Sequence, residues 1–291
     1  MFPIQSTTIK VKGKPVKVHA ISTGSVKVKT KFRAATKKGL FAKLDFVFDK
    51  EFTEWVPIWV WVIEHPEGII IVDTGINANI NNEDYFKSTG IINNWVNTSL
   101  FKFKIEPEEE IESQLKTIGI STKDVKKVIL THMHIDHFDG LKFFKNSEIV
   151  INKFEWTNNK ESLPSLYPDW LRPNLVDLTQ SFSVFDKSCS LTKANDMHLL
   201  FTPGHTVGHC SVLLSGDDHD ILFAGDITYL EEQLINGEFS GSIQDDEGNI
   251  ETYEKILQHS QKRPLVFLPS HDVKAGERLV NKVTFESSLQ A

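Results

Sequence analysis

Apolar and polar residues alternate along the chain in stretches typical of strands and of helices. Apolar runs of strand length predict strands at 56–64, 68–73, 128–130, 149–152, 197–201, 210–214, 221–224 and 265–268. Apolar residues at helical spacing predict helices at 108–118 and 251–260. This mixture predicts an α/β protein in which two sheets pack face to face with helices outside. No linker or low-complexity tract divides the chain, so we expect residues 1–291 to form a single domain.

Lysines alternate with apolar residues near the N-terminus, where Lys10, Lys12 and Lys14 flank Val11 and Gly13. This pattern predicts a strand or hairpin with a solvated lysine face. Residues 1–50 carry a net charge of +10 (twelve Lys and Arg against two Asp), although the whole chain carries −7. A basic segment can also bind nucleic acid. We favour the solvated face, because a block of charge alone says little about partners.

Composition and cysteine usage are typical of a globular protein in a reducing compartment. The chain has 291 residues with 40% hydrophobic content, 20 Phe and 6 Trp, which is ample for a sizeable core. Cys189 and Cys210 match no zinc or redox spacing and are expected to be free thiols. No secretory signal opens the sequence, and no apolar run approaches the roughly 18 residues of a membrane span. We therefore expect a cytoplasmic protein with no membrane partner.

Four polar groups with metal-ligand chemistry follow the strand predicted at 128–130. They are His132, His134, Asp136 and His137, and they fall within six consecutive positions. Neutral imidazole and carboxylate are ligands of zinc and similar divalent cations. Burying four such groups together would be costly without a cation. The sequence therefore predicts a metal site at the end of this strand.

Three further candidate ligands close three other predicted strands. His205 follows the strand at 197–201, Asp226 follows the one at 221–224, and His271 follows the one at 265–268. Loops at strand ends commonly carry functional groups on a rigid scaffold. The seven groups together predict a site that could hold more than one cation.

The residue types and spacing of these seven groups resemble the ligand motif of the metallo-β-lactamase superfamily. The His-x-His-x-Asp-His motif at 132–137 is followed by the distant His205, Asp226 and His271. The segment Val72-Asp73-Thr74-Gly75 is similar to an early family motif whose Asp supports the ligands. The segment at 202–209 is similar to a family loop in which Val207 replaces a Pro. The resemblance implies a four-layer αβ/βα sandwich.

The resemblance also implies two divalent metal ions per chain. Zinc is the expected ion, in preference to cobalt, manganese or iron. One ion would be held by His132, His134 and His205. The other would be held by Asp136, His137 and His271. Asp226 would bridge the two.

Tyr229 narrows the resemblance because it stands three positions after Asp226. A Tyr at this position is similar to that of N-acyl homoserine lactonases, the quorum-quenching enzymes of the superfamily. The resemblance implies that a hydroxide between the metals opens the lactone ring. Tyr229 would donate to the lactone carbonyl, and Asp136 would carry the proton to the leaving oxygen. The expected partner is this small-molecule substrate, with no nucleic acid, and the sequence leaves a homodimer open.

Two other functions and one segment stay open at the level of sequence. An organophosphate or aryl-ester hydrolase of the same superfamily is the closest enzymatic alternative. A nucleic-acid-binding or regulatory protein of this fold is the alternative from another class, but such relatives usually lose ligands.

The aromatic-rich segment 155–185 is predicted to be irregular, either packing its own aromatics or covering the metals. His209 is expected to hydrogen-bond beside the ligands. The remaining histidines are expected to be structural or exposed, namely His19, His65, His198, His219 and His259.

Overall fold

Two β-sheets form the centre of the fold in a computed structural model that describes residues 2–35 and 39–285. Within these residues the first sheet has eight strands, which are β1 Gln5–Val11, β2 Lys14–Val28, β3 Val56–His65, β4 Gly68–Val72, β5 Phe101–Lys104, β6 Val125–Ile129, β7 Glu148–Asn152 and β8 Asn174–Val176. The second sheet has six, which are β9 Gln180–Phe182, β10 Phe185–Ser190, β11 Met197–Phe201, β12 Cys210–Ser215, β13 Asp220–Gly225 and β14 Leu265–Pro269.

Helices surround the two sheets. In the same described residues they are α1 Thr30–Arg33, α2 Gly39–Val47, α3 Ile91–Leu100, α4 Ile111–Thr117, α5 Ile135–Phe138, α6 Lys153–Asn158, α7 Glu231–Asn236, α8 Asp246–Lys262 and α9 Ala275–Asn281. Across residues 2–35 and 39–285, none of these helices has the length and apolarity needed to cross a bilayer.

Strand β3 shows how the core divides into layers. Successive side chains of a strand point to opposite faces of the sheet. Val60 and Val62 join the core cluster that includes Leu115 of α4, outside the first sheet. Trp61 lies between the sheets, with its ring centroid 5.5 Å from that of Phe223 in β13. A third cluster packs α8 against the outer face of the second sheet. The order helix, sheet, sheet, helix confirms the predicted αβ/βα sandwich.

Strand direction brings the candidate ligands to one edge of the sandwich. In the first sheet β4, β6, β7 and β8 are parallel. In the second, β13 is parallel to β14. Strand β11 points the same way as β13, because both are antiparallel to β12. The loops after β6, β11, β13 and β14 therefore leave their sheets at strand C-terminal ends, and these are the loops that carry the predicted ligands.

Most predicted elements are present, with two differences. The predicted N-terminal hairpin is confirmed as β1 and β2, which turn at Lys12 and Gly13. The helix predicted at 108–118 is interrupted, since a 3-10 turn at Pro107–Glu109 precedes α4. The prediction that 155–185 is irregular was wrong in part. This segment completes α6 and contributes β8 and β9, because two of its short stretches pair with the sheet edges at β7 and β10.

Candidate metal centre

Three imidazoles converge after β6 and β11. The Nε2 atom of His132 lies 3.1 Å from Nδ1 of His134. That same Nδ1 lies 2.9 Å from Nε2 of His205. The three side chains offer ligand atoms within 4.8 Å of one another. The structure thus brings together the first predicted group of ligands.

A second group lies beside it, with Asp226 between the two. Asp136, His137 and His271 also offer atoms within 4.8 Å of one another, and Asp136 Oδ2 lies 3.3 Å from His271 Nε2. Asp226 has Oδ1 3.3 Å from His137 Nε2, and Oδ2 3.2 Å from His271 Nε2 and 3.6 Å from His205 Nε2. Asp226 therefore reaches both groups, which is the geometry required of a bridging ligand.

Each of the five imidazoles anchors one ring nitrogen and turns the other toward the centre. The outer nitrogens pair as follows: His132 Nδ1 with Thr131 Oγ1 (3.0 Å), His134 Nε2 with Glu161 Oε2 (3.0 Å), His137 Nδ1 with Asp73 Oδ2 (2.8 Å), His205 Nδ1 with Ser242 Oγ (3.3 Å) and His271 Nδ1 with the Pro57 carbonyl (2.9 Å). Metal-binding histidines are typically oriented in this way, because the outer bond fixes the ring and leaves the inner nitrogen free to coordinate.

Asp73 links the end of β4 to the ligand loop. Its Oδ1 accepts a hydrogen bond from the backbone N–H of Thr131 at 2.8 Å. Its Oδ2 lies 2.8 Å from Nδ1 of His137. Its backbone φ of +60° is unusual for a residue with a side chain. Such strain is found where the surroundings fix a conformation that function needs. The predicted position of Asp73 beside the ligands is confirmed.

Glu155, at the start of α6, joins two ligand loops and was not identified from sequence. Its carboxylate accepts from the Met133 backbone N–H at 2.9 Å, from Thr206 Oγ1 at 2.7 Å and from Asn159 Nδ2 at 2.6 Å. Met133 stands between His132 and His134, and Thr206 follows His205. The side chain is fully buried. The signal available in the sequence was a carboxylate three residues after a buried strand.

The remaining histidines lie where they were expected. His209 is buried, and its Nε2 accepts from the Asp226 backbone N–H at 3.1 Å, which confirms a hydrogen bond beside the ligands. His259 is buried on α8, where it bonds to Ser183 and Asp220. Within the described residues, no group with metal-ligand spacing includes His19, His65, His198, His219 or His259.

The chemistry of the cluster suits divalent cations. The inner atoms His137 Nε2, His271 Nε2 and Asp226 Oδ1 are buried without a hydrogen-bond partner, which is costly unless a cation engages them. Burial lowers the pKa of His205 to about 3 and that of His132 well below its ordinary value, so both rings offer a lone pair. Burial raises the pKa of Asp226, but His271 and His137 outweigh it and hold that pKa well below its usual range. Neutral imidazoles and ionised carboxylates are what such ions prefer.

A cavity of about 320 Å³ opens beside the cluster. His134, Asp136, His205 and Asp226 line its floor, and Tyr229 forms part of its wall. The Tyr229 ring stacks on His271 with centroids 5.2 Å apart, so its position over the cluster is fixed. Burial raises the pKa of the Tyr229 hydroxyl well above its ordinary value, which keeps it protonated.

The apolar wall of the cavity comes largely from residues 32–103. Phe32, Phe46, Trp95, Phe101 and Phe103 contribute to it. The segment 155–185, considered from sequence as a lid, contributes only Glu161 and Leu163. Its aromatics pack on one another and on the core, as the stacked pair Trp156 and Tyr167 shows. No local sequence pattern predicts this wall, because helix and strand residues that are far apart in the chain meet there.

The layered fold and the His/Asp cluster define a metallo-β-lactamase-type hydrolase scaffold. The family model described as the metallo-beta-lactamase superfamily matches residues 53–271, and the chain belongs to this superfamily. The family resemblance seen in the sequence is therefore confirmed.

The similar proteins include several lactonases. An N-acyl homoserine lactonase of a Bacillus species is 29% identical over 223 residues, which cover 75% of this chain and 82% of the relative. The structure of an N-acyl homoserine lactone hydrolase with the product N-hexanoyl-L-homoserine at its catalytic metal centre superposes with a TM-score of 0.73. It is 21% identical and covers 96% of this chain and 100% of that one. AidC, a dizinc quorum-quenching lactonase, gives a TM-score of 0.61 at 17% identity, covering 92% and 91%. These structures share the fold.

Proposed function

We propose that this protein is a metal-dependent hydrolase that opens the lactone ring of N-acyl homoserine lactones. The observation that carries the proposal is Tyr229, which is stacked on His271 in the wall of a largely apolar cavity whose floor is the His/Asp cluster. An uncharged acyl lactone matches this site, because its ring needs polar groups and its tail needs an apolar wall. The lactonases among the relatives support the same substrate class.

The seven clustered residues would hold two divalent cations, most simply zinc. His132, His134 and His205 would hold one, and Asp136, His137 and His271 the other, with Asp226 shared. When bound, the cations would supply Lewis acidity and would lower the pKa of water into the neutral range. The number and identity of the ions are part of this proposal, as is the single-domain organisation of residues 1–291.

Tyr229 and Asp136 would act on the substrate itself. The protonated phenol of Tyr229 would donate a hydrogen bond to the lactone carbonyl oxygen, where negative charge develops as water adds to the carbonyl carbon. Asp136 lines the same cavity, and its carboxylate would take a proton from that water. When the bond between the carbonyl carbon and the ring oxygen breaks, Asp136 would return the proton to that oxygen. The product would be the open N-acyl homoserine.

Purified, metal-loaded protein should be tested against a panel of lactone, phosphotriester and thioester substrates. We expect N-acyl homoserine lactones to be hydrolysed much faster than paraoxon-like triesters or glutathione thioesters. Ring opening releases an acid, so a pH indicator follows it directly. Preference for the phosphotriester would instead assign the chain to the organophosphate hydrolases of the superfamily.

A further inference from the structure

Glu161 is a carboxylate in the cavity that belongs to neither predicted group of ligands. It follows α6 and lines the cavity together with His134. Its Oε2 lies 3.0 Å from Nε2 of His134, which is the ring nitrogen that points away from the cluster. The side chain of Glu161 is 49% exposed. Its charge is therefore held at one place in the cavity wall and still faces the space that a substrate would fill.

The carboxylates of the cavity have no lysine or arginine beside them in its wall. Asp136, Asp226 and Glu161 line the cavity, and no Lys or Arg among the described residues does so. Arg33, at the end of α1, pairs with Glu54 at 2.6 Å. An anionic molecule that enters the cavity therefore finds no lysine or arginine in the wall to bind it, and it meets Glu161.

The negative charge of Glu161 acts across the cavity. Burial and the carboxylates of Asp226 and Asp136 raise the pKa of the Tyr229 hydroxyl, and Glu161 adds to the same effect. Tyr229 is the group proposed above to bind the lactone carbonyl. A ligand carboxylate placed near Tyr229 is therefore also within reach of the repulsion from Glu161.

Lactone hydrolysis changes the charge of the molecule in the cavity. The lactone is uncharged, whereas the open N-acyl homoserine carries a carboxylate at neutral pH. Two divalent cations would carry more positive charge than the carboxylates of Asp136 and Asp226 offset, so the product anion would be attracted to the site that formed it. A carboxylate that is not itself a ligand, such as Glu161, opposes this attraction.

We propose that Glu161 is a specificity-determining residue that disfavours anionic ligands of this cavity, the open product among them, relative to uncharged lactones. The identity of substrate and product rests on the proposed function. The product would leave more readily, and molecules that carry a carboxylate would be held less tightly. Orientation of His134 is the other role open to Glu161. Charged and uncharged ligands separate the two roles, because a loss of orientation would affect both kinds of ligand alike.

Isothermal titration calorimetry of the full-length, zinc-loaded protein tests the proposal with two ligands that share an acyl tail. One is the anion N-hexanoyl-homoserine, and the other is N-cyclopentylhexanamide, which is uncharged and has a ring that water cannot open. Glu161→Gln keeps an acceptor for His134 Nε2 and removes the charge. It should bind the anion about fivefold more tightly, as expected for a half-exposed charge at roughly 8 Å. Binding of the uncharged amide should change by less than about twofold, and the gain for the anion should shrink as salt rises.

Two further variants separate charge from contact. Glu161→Asp keeps the charge, but its side chain is one methylene too short for the 3.0 Å contact with His134. It should retain the wild-type preference for the uncharged ligand over the anion. Glu254→Gln is the matched control, because Glu254 is exposed on α8 and does not line the cavity. It should leave the preference unchanged. Elemental analysis gives the zinc content of every sample.

The proposal is overturned if Glu161→Gln binds the anion no more tightly than the wild-type protein does, or if it shifts both ligands by the same factor. It is also overturned if Glu161→Asp changes the preference as much as Glu161→Gln. Loss of zinc from Glu161→Gln would overturn it too, since Glu161 would then be needed to position His134. A wild-type protein that opens no lactone but shows the expected shift in Glu161→Gln would refute the proposed function and leave the charge effect standing.

Discussion

Replacing Glu155 by alanine should weaken the fold and the cation site together. Its buried carboxylate accepts from the backbone N–H of Met133 at 2.9 Å, from Asn159 Nδ2 at 2.6 Å and from Thr206 Oγ1 at 2.7 Å. Alanine would leave these donors without partners in the interior, at about 1–3 kcal/mol each. The Thr206 hydroxyl can rotate to another acceptor, so the two N–H donors set the scale. We expect the free energy of unfolding to fall by roughly 3–4 kcal/mol.

The same change should weaken cation binding, because Glu155 positions ligands without being one. Met133 lies between His132 and His134, and Thr206 adjoins His205, so the carboxylate ties together the loops that hold the first group of ligands. Loss of partners that orient ligands typically costs about 10–100-fold in metal affinity. Glu155→Gln is the matched control. The glutamine keeps one acceptor for Met133 and Asn159, and its amide can donate to Thr206. It should lose about 1 kcal/mol of stability and less than roughly tenfold in affinity.

Two measurements on the same samples decide the outcome. Urea unfolding of the metal-free proteins gives the stability difference, and zinc titration against a competing chelator gives the affinity. Glu155→Ala with unchanged affinity would show that the loops hold their positions without this side chain. Equal losses in the alanine and glutamine variants would show that the negative charge acts, and the hydrogen-bond argument would fail.

Three further predictions concern the centre itself. Asp226→Ala should lower the number of divalent ions per chain, measured by elemental analysis, because both groups of ligands lose a shared carboxylate. His259→Ala should keep that number although the lost buried hydrogen bonds lower the unfolding midpoint, and equal metal loss in the two variants would contradict the ligand assignment. Tyr229→Phe should lower lactone turnover on the order of tenfold while the metal is retained. This loss is smaller than the loss on removing the sole donor to an oxyanion, because the cations would share the charge that develops on the carbonyl oxygen. Unchanged kcat and KM would make Tyr229 a packing residue. Nearby carboxylates outweigh burial and raise the pKa of His271 to about 10 and that of His137 well above its ordinary value, so cation binding must displace protons. Zinc affinity should therefore rise with pH between acidic and neutral conditions, and a flat profile would refute this.

The clustering of the seven candidate ligands could be predicted from sequence because each loop that carries them follows a strand that is itself visible in the pattern. His205, Asp226 and His271 come directly after apolar runs that became β11, β13 and β14. Strands that run in the same direction end at the same edge of a sheet. A local pattern was therefore enough to predict that these residues, which are far apart in the chain, lie close together. The family resemblance then supplied the pairing into two groups, and the structure shows the corresponding distances.

The supporting groups were harder to predict because their partners are set by tertiary packing. Glu155 and Glu161 lie in a segment whose aromatic residues suggested a lid. In the structure, Glu155 accepts a hydrogen bond from the backbone of Met133, and Glu161 contacts the imidazole of His134. Phe32 of α1 packs on Phe101 of β5, with the ring centroids 5.0 Å apart. Strand β5 has only four residues between α3 and a 3-10 turn, so its apolar alternation is too short to stand out in sequence.

The candidate ligands and the apolar wall of the cavity come from different parts of the chain. The seven candidate ligands lie between His132 and His271, in loops at strand ends of the two sheets. The apolar wall of the cavity lies largely between Phe32 and Phe103, on short helices and an edge strand. Changes in that wall need not disturb the ligands, because loops and edge elements tolerate substitution better than the sheet ends they surround. Residues 32–103 therefore shape the cavity without contributing any of the seven candidate ligands.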